Sequence, residues 1–355
     1  MGLKILAINP GSTSTKIALY EDEKEVLVKT LDHAVEEIDK YDKIVDQFQM
    51  RKEIVISFLS ENGYDVSMLD AVVGRGGMLP PVKAGAYKVN DLMVDRLKNR
   101  PLMEHASNLG AVIAYEIANS INKPSFIYDS VKVDELSDIS RISGMPAIPR
   151  ISTSHVLNSR AMAIKTAAKY NKKLEDMNFV VAHMGGGVSL GVYEKGRLTD
   201  IISDDEGPFS PERSGRVHLR EIISLCFSGK YDKKQVMKMF SGNGGLKGYL
   251  GTVDAREVEK MIEEGNEDAK LIYEAMAYQI AKGIGELSTV VKGKVDAIIL
   301  TGGIAYSKMI TGWIKERVEF IAPVEIMAGE NEMESLALGA LRVLRNEETS
   351  WEYTE

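Results

Sequence analysis

Along this chain, short runs of alternating apolar and polar residues give way to apolar positions at helical spacing, and the whole pattern occurs twice. LKILAINPGSTSTKIALYEDEKEVLVKT, from Leu3, and NFVVAHMGGGVSLGVYEKGRLTDII, from Asn178, carry the alternating part. Each predicts a strand, a turn of small residues, a second strand ending in Tyr20 or Tyr193, a charged turn and a third strand. Later in each half a helical stretch leads into a short apolar run closed by two glycines, DAVVGRGG over 70–77 and DAIILTGG over 296–303. Both runs share Asp-Ala followed by two β-branched residues, as buried strands do. A meander, helices and a buried strand at a Gly-Gly turn, built twice, predict mixed α/β layers in two related domains.

The stretch SGMPAIPRISTSH over 143–155 is the expected hinge, because Pro146 and Pro149 interrupt any helix. The domains are therefore expected at 1–150 and 151–329. The last predicted helix, from Glu334 to Arg345, lies in a segment of about 330–355 expected to complete the first domain.

Composition narrows the function. The 355 residues carry a net charge of -8, with no Lys/Arg block of the kind that replaces counterions on nucleic acid. No stretch of about 20 apolar residues is available to span a membrane. The N-terminal apolar run is too short for a secretory signal and reads as a strand. The single cysteine, Cys226, lies in the apolar helical run EIISLCF, where a small buried thiol is expected, and a lone thiol favours a reducing compartment. The expectation is a cytoplasmic protein without nucleic-acid or membrane partners.

The first small-residue turn, Asn9-Pro10-Gly11-Ser12-Thr13-Ser14-Thr15, offers backbone N–H groups and the hydroxyls of Ser12 and Ser14 to phosphate oxygens. It is not a Walker loop, since no G-x-x-x-x-G-K-[ST] occurs. Its counterpart has three consecutive glycines, Gly185, Gly186 and Gly187, which let backbone approach a polyphosphate closely, and His183 precedes them as a potential donor. Gly302 and Gly303 end a buried strand where an adenosine can lie against bare backbone. Arg75 and Arg213 adjoin glycine-rich bends, positions suited to a planar phosphate clamp, and Arg216 lies near. Asp129 and Glu332 are candidate Mg²⁺ carboxylates. Zinc spacing and HExxH are absent, which removes support for metal hydrolases.

INPGSTSTK, AHMGGGVS, PERSG and LTGG, in that order, resemble the butyrate kinase branch of the acetate kinase family over nearly the whole chain. The resemblance implies a duplicated ribonuclease-H-like fold, the α/β fold of actin-like ATPases, with ATP and Mg²⁺ in an interdomain cleft and at least a homodimer. It implies an ATP-dependent, reversible phosphorylation of butyrate or a similar carboxylate. By the same resemblance, Asn9 and the Ser/Thr turn form the first phosphate loop, and His183 with Gly185–Gly187 the second. Asp129 becomes the Mg²⁺-side aspartate, Arg213 the transition-state arginine, Gly302 and Gly303 the adenosine motif, and Glu332 the late acidic residue on the metal side.

Three departures mark the chain. The family's HRVVHGG is AVVGRGG here, so Arg75 occupies a histidine column. HGTSH is ISTSH, leaving His155 but not the first histidine. PLHNPAN is PLMEHASN, with His105 one place out of register. They favour the butyrate branch, and Leu79, Pro80, Pro81 and Val82 are either an acyl-pocket lining or a loop covering core. Acetate, propionate or sugar kinases of this fold remain alternatives, as does a nucleotide-gated module of the actin or chaperone kind.

Overall fold

A computed structural model describes residues 2–355. The chain divides into two compact units, one of residues up to Asp134 with Asn331–Glu355, the other Glu135–Glu330. The division precedes the Pro-rich stretch because the segment after Asp134 is tied to the second unit. Ser137 N–H donates to the Thr199 carbonyl at 3.0 Å, and Arg150 donates to Asp200 and to the Ser140 carbonyl.

The first unit is built on seven strands: β1 (Lys4–Pro10), β2 (Ser14–Glu21), β3 (Lys24–Asp32), β4 (Ala71–Arg75), β5 (Ala86–Lys88), β6 (Ser125–Tyr128) and β12 (Trp351–Glu352). Their order is β12-β5-β6-β4-β1-β2-β3. The second unit holds β7 (Asn178–Met184), β8 (Val188–Glu194), β9 (Arg197–Ile202), β10 (Ala297–Gly302) and β11 (Val324–Ala328), in the order β11-β10-β7-β8-β9. In each, a three-stranded antiparallel meander continues into two parallel strands, β1-β4-β6 in one and β7-β10-β11 in the other.

The two meanders match in detail. The ladder slips between Leu19 and Tyr20 in one and between Val192 and Tyr193 in the other, so the bulge that ends each middle strand precedes the same tyrosine. The following tight turns hold Asp22 and Lys195 at positive φ, 53° and 50°. The Asp-Ala pairs have matching tasks as well. Asp70 accepts from Lys4 N–H at 3.0 Å and donates its own N–H to the Lys4 carbonyl, while Asp296 does the same with Asn178 at 2.7 and 2.8 Å. Each aspartate thus fastens the inner parallel strand to the start of the first.

The cores lie between sheet and helices. Leu6, Ile8, Ile17 and Leu19 meet Val55 and Leu59 of the helix Phe48–Glu61 and Leu109 and Ile113 of the helix Asn108–Ser120. The latter helix is apolar on nearly all sides and passes so close to the sheet that a Cβ on Gly74 would sit 2.1 Å from the Gly110 carbonyl oxygen. The helix Glu332–Leu344 covers the other face of β1, β4 and β6. In the second unit, Val180, Leu190 and Leu300 pack with Tyr273, Ile280 and Ile284 of the long helix Glu267–Ser288.

Cys226 departs from its expectation: it is exposed. No residue of its helix Leu219–Cys226 is buried, and Phe227 beyond it is 87% exposed, because the apolar side of that helix is only partly covered by the described residues. Among the described residues no helix is long and apolar enough to cross a membrane.

Candidate active site

In both sheets the candidate residues gather at the carboxyl ends of the parallel strands, the position at which open α/β sheets bind ligands. In the first unit Ile8 pairs with Gly74 and Arg75 with Tyr128, so Asn9, Arg75 and Asp129 emerge side by side from β1, β4 and β6. In the second, Thr301 pairs with His183, which sets His183 beside the Thr301-Gly302-Gly303 corner.

The turn after β1 is shaped from beneath by a residue that sequence patterns do not single out. Arg51, on the helix Phe48–Glu61, is fully buried and donates to the carbonyls of Gly11 at 2.8 Å, Ser14 at 2.9 Å and Ser12 at 2.9 Å. It also donates to Thr15 Oγ1 and to Gln47 Oε1. Burial lowers its pKa to about 10, so the guanidinium keeps its charge at neutral pH. A cation whose donors are taken by backbone carbonyls fixes the turn and adds positive potential below it. Burial, then the Arg51 charge, lowers the pKa of His33, whose Nε2 lies 2.8 Å from Thr15 Oγ1.

Glu332, at the start of the helix Glu332–Leu344, is the hub of the first unit's polar set. One of its oxygens accepts from Asn9 Nδ2 at 2.7 Å, and the other lies 3.2 Å from Arg75 Nη1. Three residues singled out separately, Asn9, Arg75 and Glu332, therefore form one cluster. Both Glu332 oxygens are engaged by side chains there, an arrangement unlike that of an open metal ligand. Arg75 also acts on His105, whose pKa is lowered by burial and then by the Arg75 charge. Asp129, 1% exposed and at φ 41°, accepts from Gly85 N–H at 2.7 Å through one carboxylate oxygen. No group of three or more His, Cys, Asp or Glu side chains among the described residues is arranged to hold a metal ion.

In the second unit the glycine turn closes through Gly185 N–H to the Gly187 carbonyl at 2.9 Å. Arg213 lies against it: a Cβ on Gly187 would meet Arg213 Nη1 at 2.8 Å, the end of a flexible side chain. Ser210 binds the two segments together, donating through Oγ to the Gly186 carbonyl at 2.7 Å and accepting from Arg213 N–H at 3.2 Å. Arg213 pairs with Asp204, and burial lowers its pKa. Gly302 sits at φ 90° with its α-carbon against the Met184 carbonyl, where a Cβ would come to 2.3 Å.

A cavity of about 790 Å³ opens beside this turn, lined by Gly185, Gly186, Gly303 and Glu330. Its far wall, Asp254, Arg256, Glu259 and Ser307, carries no signal in the sequence beyond ordinary helix-capping residues. Ser12 is exposed and Ser14 half-buried. Arg216 points elsewhere, to Glu286. Leu79 is fully buried core, whereas Pro80, Pro81 and Val82 line a different cavity of about 630 Å³ with Lys83, Arg96 and Trp351. Arg75 is not part of that lining.

The Acetokinase family matches residues 152–335 of this chain. Butyrate kinase 1 of Clostridium acetobutylicum is 53% identical over 352 residues, which cover 99% of each of the two chains. The crystal structure of acetate kinase from Porphyromonas gingivalis superposes with a TM-score of 0.80 at 17% identity, covering 96% of this chain and all of that one. A propionate kinase structure from Francisella tularensis superposes with a TM-score of 0.72 at 19% identity, covering 95% and 98%. At such identities the solved structures speak for the fold, which is the duplicated α/β fold of the actin-like ATPases.

Proposed function

Since the chain belongs to the Acetokinase family, we propose that it transfers the γ-phosphoryl group of ATP to butyrate or a similar short or branched-chain carboxylate, and in reverse makes ATP from the acyl phosphate. The observation that carries this reading is the matching placement of polar side chains and glycine turns at the carboxyl ends of the parallel strands in both units. The full-length likeness to a butyrate kinase adds the substrate class.

The chemistry asks for little proton transfer. A carboxylate is already ionised near neutral pH and needs no general base. One of its oxygens forms a bond to the γ-phosphorus while the bond to the β,γ-bridging oxygen breaks, and ADP leaves with that electron pair. What the enzyme must supply is stabilisation of the negative charge spread over the transferring group. Arg213 and Arg75 supply cations, and His183 a hydrogen-bond donor. Asn9, Ser12, Ser14 and the Gly185–Gly187 backbone hold phosphate oxygens. Gly302 and Gly303 leave bare backbone beside the cavity for the adenosine.

Mg²⁺ takes one or two carboxylates and completes its shell with water and phosphate oxygens, so Asp129 alone is a sufficient protein donor. When bound there, the ion neutralises phosphate charge. Glu332, held by Asn9 and Arg75, acts in this reading by positioning Arg75 rather than as an open metal ligand. A cytoplasmic setting agrees with a lone thiol. A homodimer or larger homo-oligomer is supported by the exposed Leu219, Ile223 and Phe227.

The test is a series of acceptors from acetate through propionate, butyrate and isobutyrate to valerate, read as kcat/KM for ADP release. Four-carbon acids are expected to lead, with activity falling about tenfold or more for each methylene removed and so about a hundredfold or more at acetate, since each methylene in an apolar pocket discriminates by about that order. A maximum at acetate, or turnover only with alcohols, would overturn the substrate assignment.

A further inference from the structure

His183 is nearly buried, and its ring is fixed by two different neighbours. His155 stacks on it at 4.1 Å between centroids and 13° between planes, and is itself held by Ser189 Oγ, 2.9 Å from its Nδ1. This contact sets the plane of the imidazole but not which nitrogen carries the proton. That choice falls to Asn158, a buried residue in the first turn of the helix Val156–Lys169, which packs on β7 and β10. Asn158 Nδ2 lies 3.0 Å from His183 Nδ1 and 3.0 Å from Thr301 Oγ1.

The neighbours fix the sense of these bonds. The Thr301 hydroxyl has the Gly329 carbonyl as its acceptor, at 3.4 Å, which leaves its oxygen to accept at 3.0 Å from the NH₂ side of the Asn158 amide. The second hydrogen of that NH₂ then points at His183 Nδ1, which must accept. A neutral imidazole that accepts at Nδ1 carries its proton on Nε2. Nε2 faces the cavity wall: it is 3.7 Å from Glu330 Oε1, and a Cβ on Gly185 would stand 3.4 Å from it. Glu330 at that distance is a favourable neighbour for N–H and an unfavourable one for a lone pair, and 3.7 Å is too long for a hydrogen bond, so the donor is left for another acceptor.

We infer that Asn158 is a positioning residue: by donating to Nδ1 it locks His183 as the Nε2–H tautomer and aims that proton at the Gly185 edge of the cavity, where a phosphoryl oxygen accepts it. The opposite tautomer would set two N–H groups against each other in a buried site, a penalty that corresponds to a population ratio of about tenfold to a hundredfold. It would also turn a lone pair toward an anionic oxygen. The inference rests on reading His183 as a phosphate-side donor, and its test is chosen to stand apart from that reading.

The test is a long-range ¹H–¹⁵N spectrum of the imidazole nitrogens in the full-length protein without substrate. The sequence has five histidines, so the His183 signals are assigned by their loss in His183→Gln. The expected pattern is a protonated Nε2 with an unprotonated, hydrogen-bonded Nδ1. In Asn158→Asp, close in volume, the carboxylate can only accept, so Nδ1 is expected to become protonated. With it kcat should fall about tenfold to a hundredfold, with KM for the carboxylate changed less than threefold or so. A protonated Nδ1 and bare Nε2 in the wild-type protein overturns the inference whatever the variants do, as does an unchanged His183 pattern in folded Asn158→Asp. If the spectra agree but no acyl phosphate forms, the tautomer assignment stands and the proposed function falls.

Discussion

Arg213→Ala is expected to lose about a thousandfold in kcat or more while keeping its fold and most of its affinity for ATP. Arginines that contact the transferring phosphoryl group contribute on that scale in other phosphoryl-transfer enzymes. The position of Arg213 supports such a role: its guanidinium lies against the Gly187 backbone, and Ser210 ties the segment to the Gly186 carbonyl. Removing the side chain leaves the backbone bonds of that segment intact. The partner it abandons, Asp204, stays in reach of water, so a stability cost of only about 1 kcal/mol is expected. Turnover, circular dichroism and calorimetric titration with ATP together decide the matter. Wild-type turnover in a folded Arg213→Ala removes this residue from the transfer.

Arg51→Met is expected to act in the opposite order, on the scaffold first and on catalysis through it. The replacement fills similar volume but takes the donor from the carbonyls of Gly11 and Ser12, and one of two donors from that of Ser14, which keeps Gly11 N–H. An acceptor cut off from water and left unpaired costs about 1–3 kcal/mol, and these half-buried carbonyls lie at or below the lower end of that range, beside the lost packing and charge of Arg51 itself. Relaxation of the turn toward water recovers part of this, so a net loss of about 3 kcal/mol is expected, seen as a fall of roughly 10 °C in the unfolding midpoint of the first unit. With the turn loosened and its underlying charge gone, KM for ATP is expected to rise about tenfold, as one charge-assisted contact would account for. Unchanged midpoint and unchanged KM would show that the turn keeps its shape without Arg51.

Much of the fold was legible because the duplication is written in local pattern. The repeated meander and the two Asp-Ala runs are strings of neighbouring residues, and in the structure they become matching bulges before Tyr20 and Tyr193 and matching clamps at Asp70 and Asp296. Glycine turns were legible for the same reason: Gly302 is needed where a Cβ would collide with the Met184 carbonyl. What stayed hidden depends on contacts distant in sequence. Arg51 in QMRKEIV reads as one more solvated charge on a helix, yet it is wholly buried under a turn some forty residues earlier. Asn158 looks like an ordinary polar residue of the first helical turn, and only the pairing of β7 with β10 brings His183 and Thr301 to it. Glu332 showed its acidity but not its partners, Asn9 and Arg75, which come from the other end of the chain. Cys226 failed differently: an apolar helical face states that something should cover it, not what does.

The central claim is direct phosphoryl transfer from ATP to a carboxylate, and trapping the product tests it most directly. Purified protein supplied with ATP, Mg²⁺, butyrate and hydroxylamine is expected to form butyryl hydroxamate in step with ADP, one for one, and to form neither when butyrate is left out. Release of ADP without hydroxamate, or ADP release driven by an alcohol and not by any carboxylate, would contradict the account.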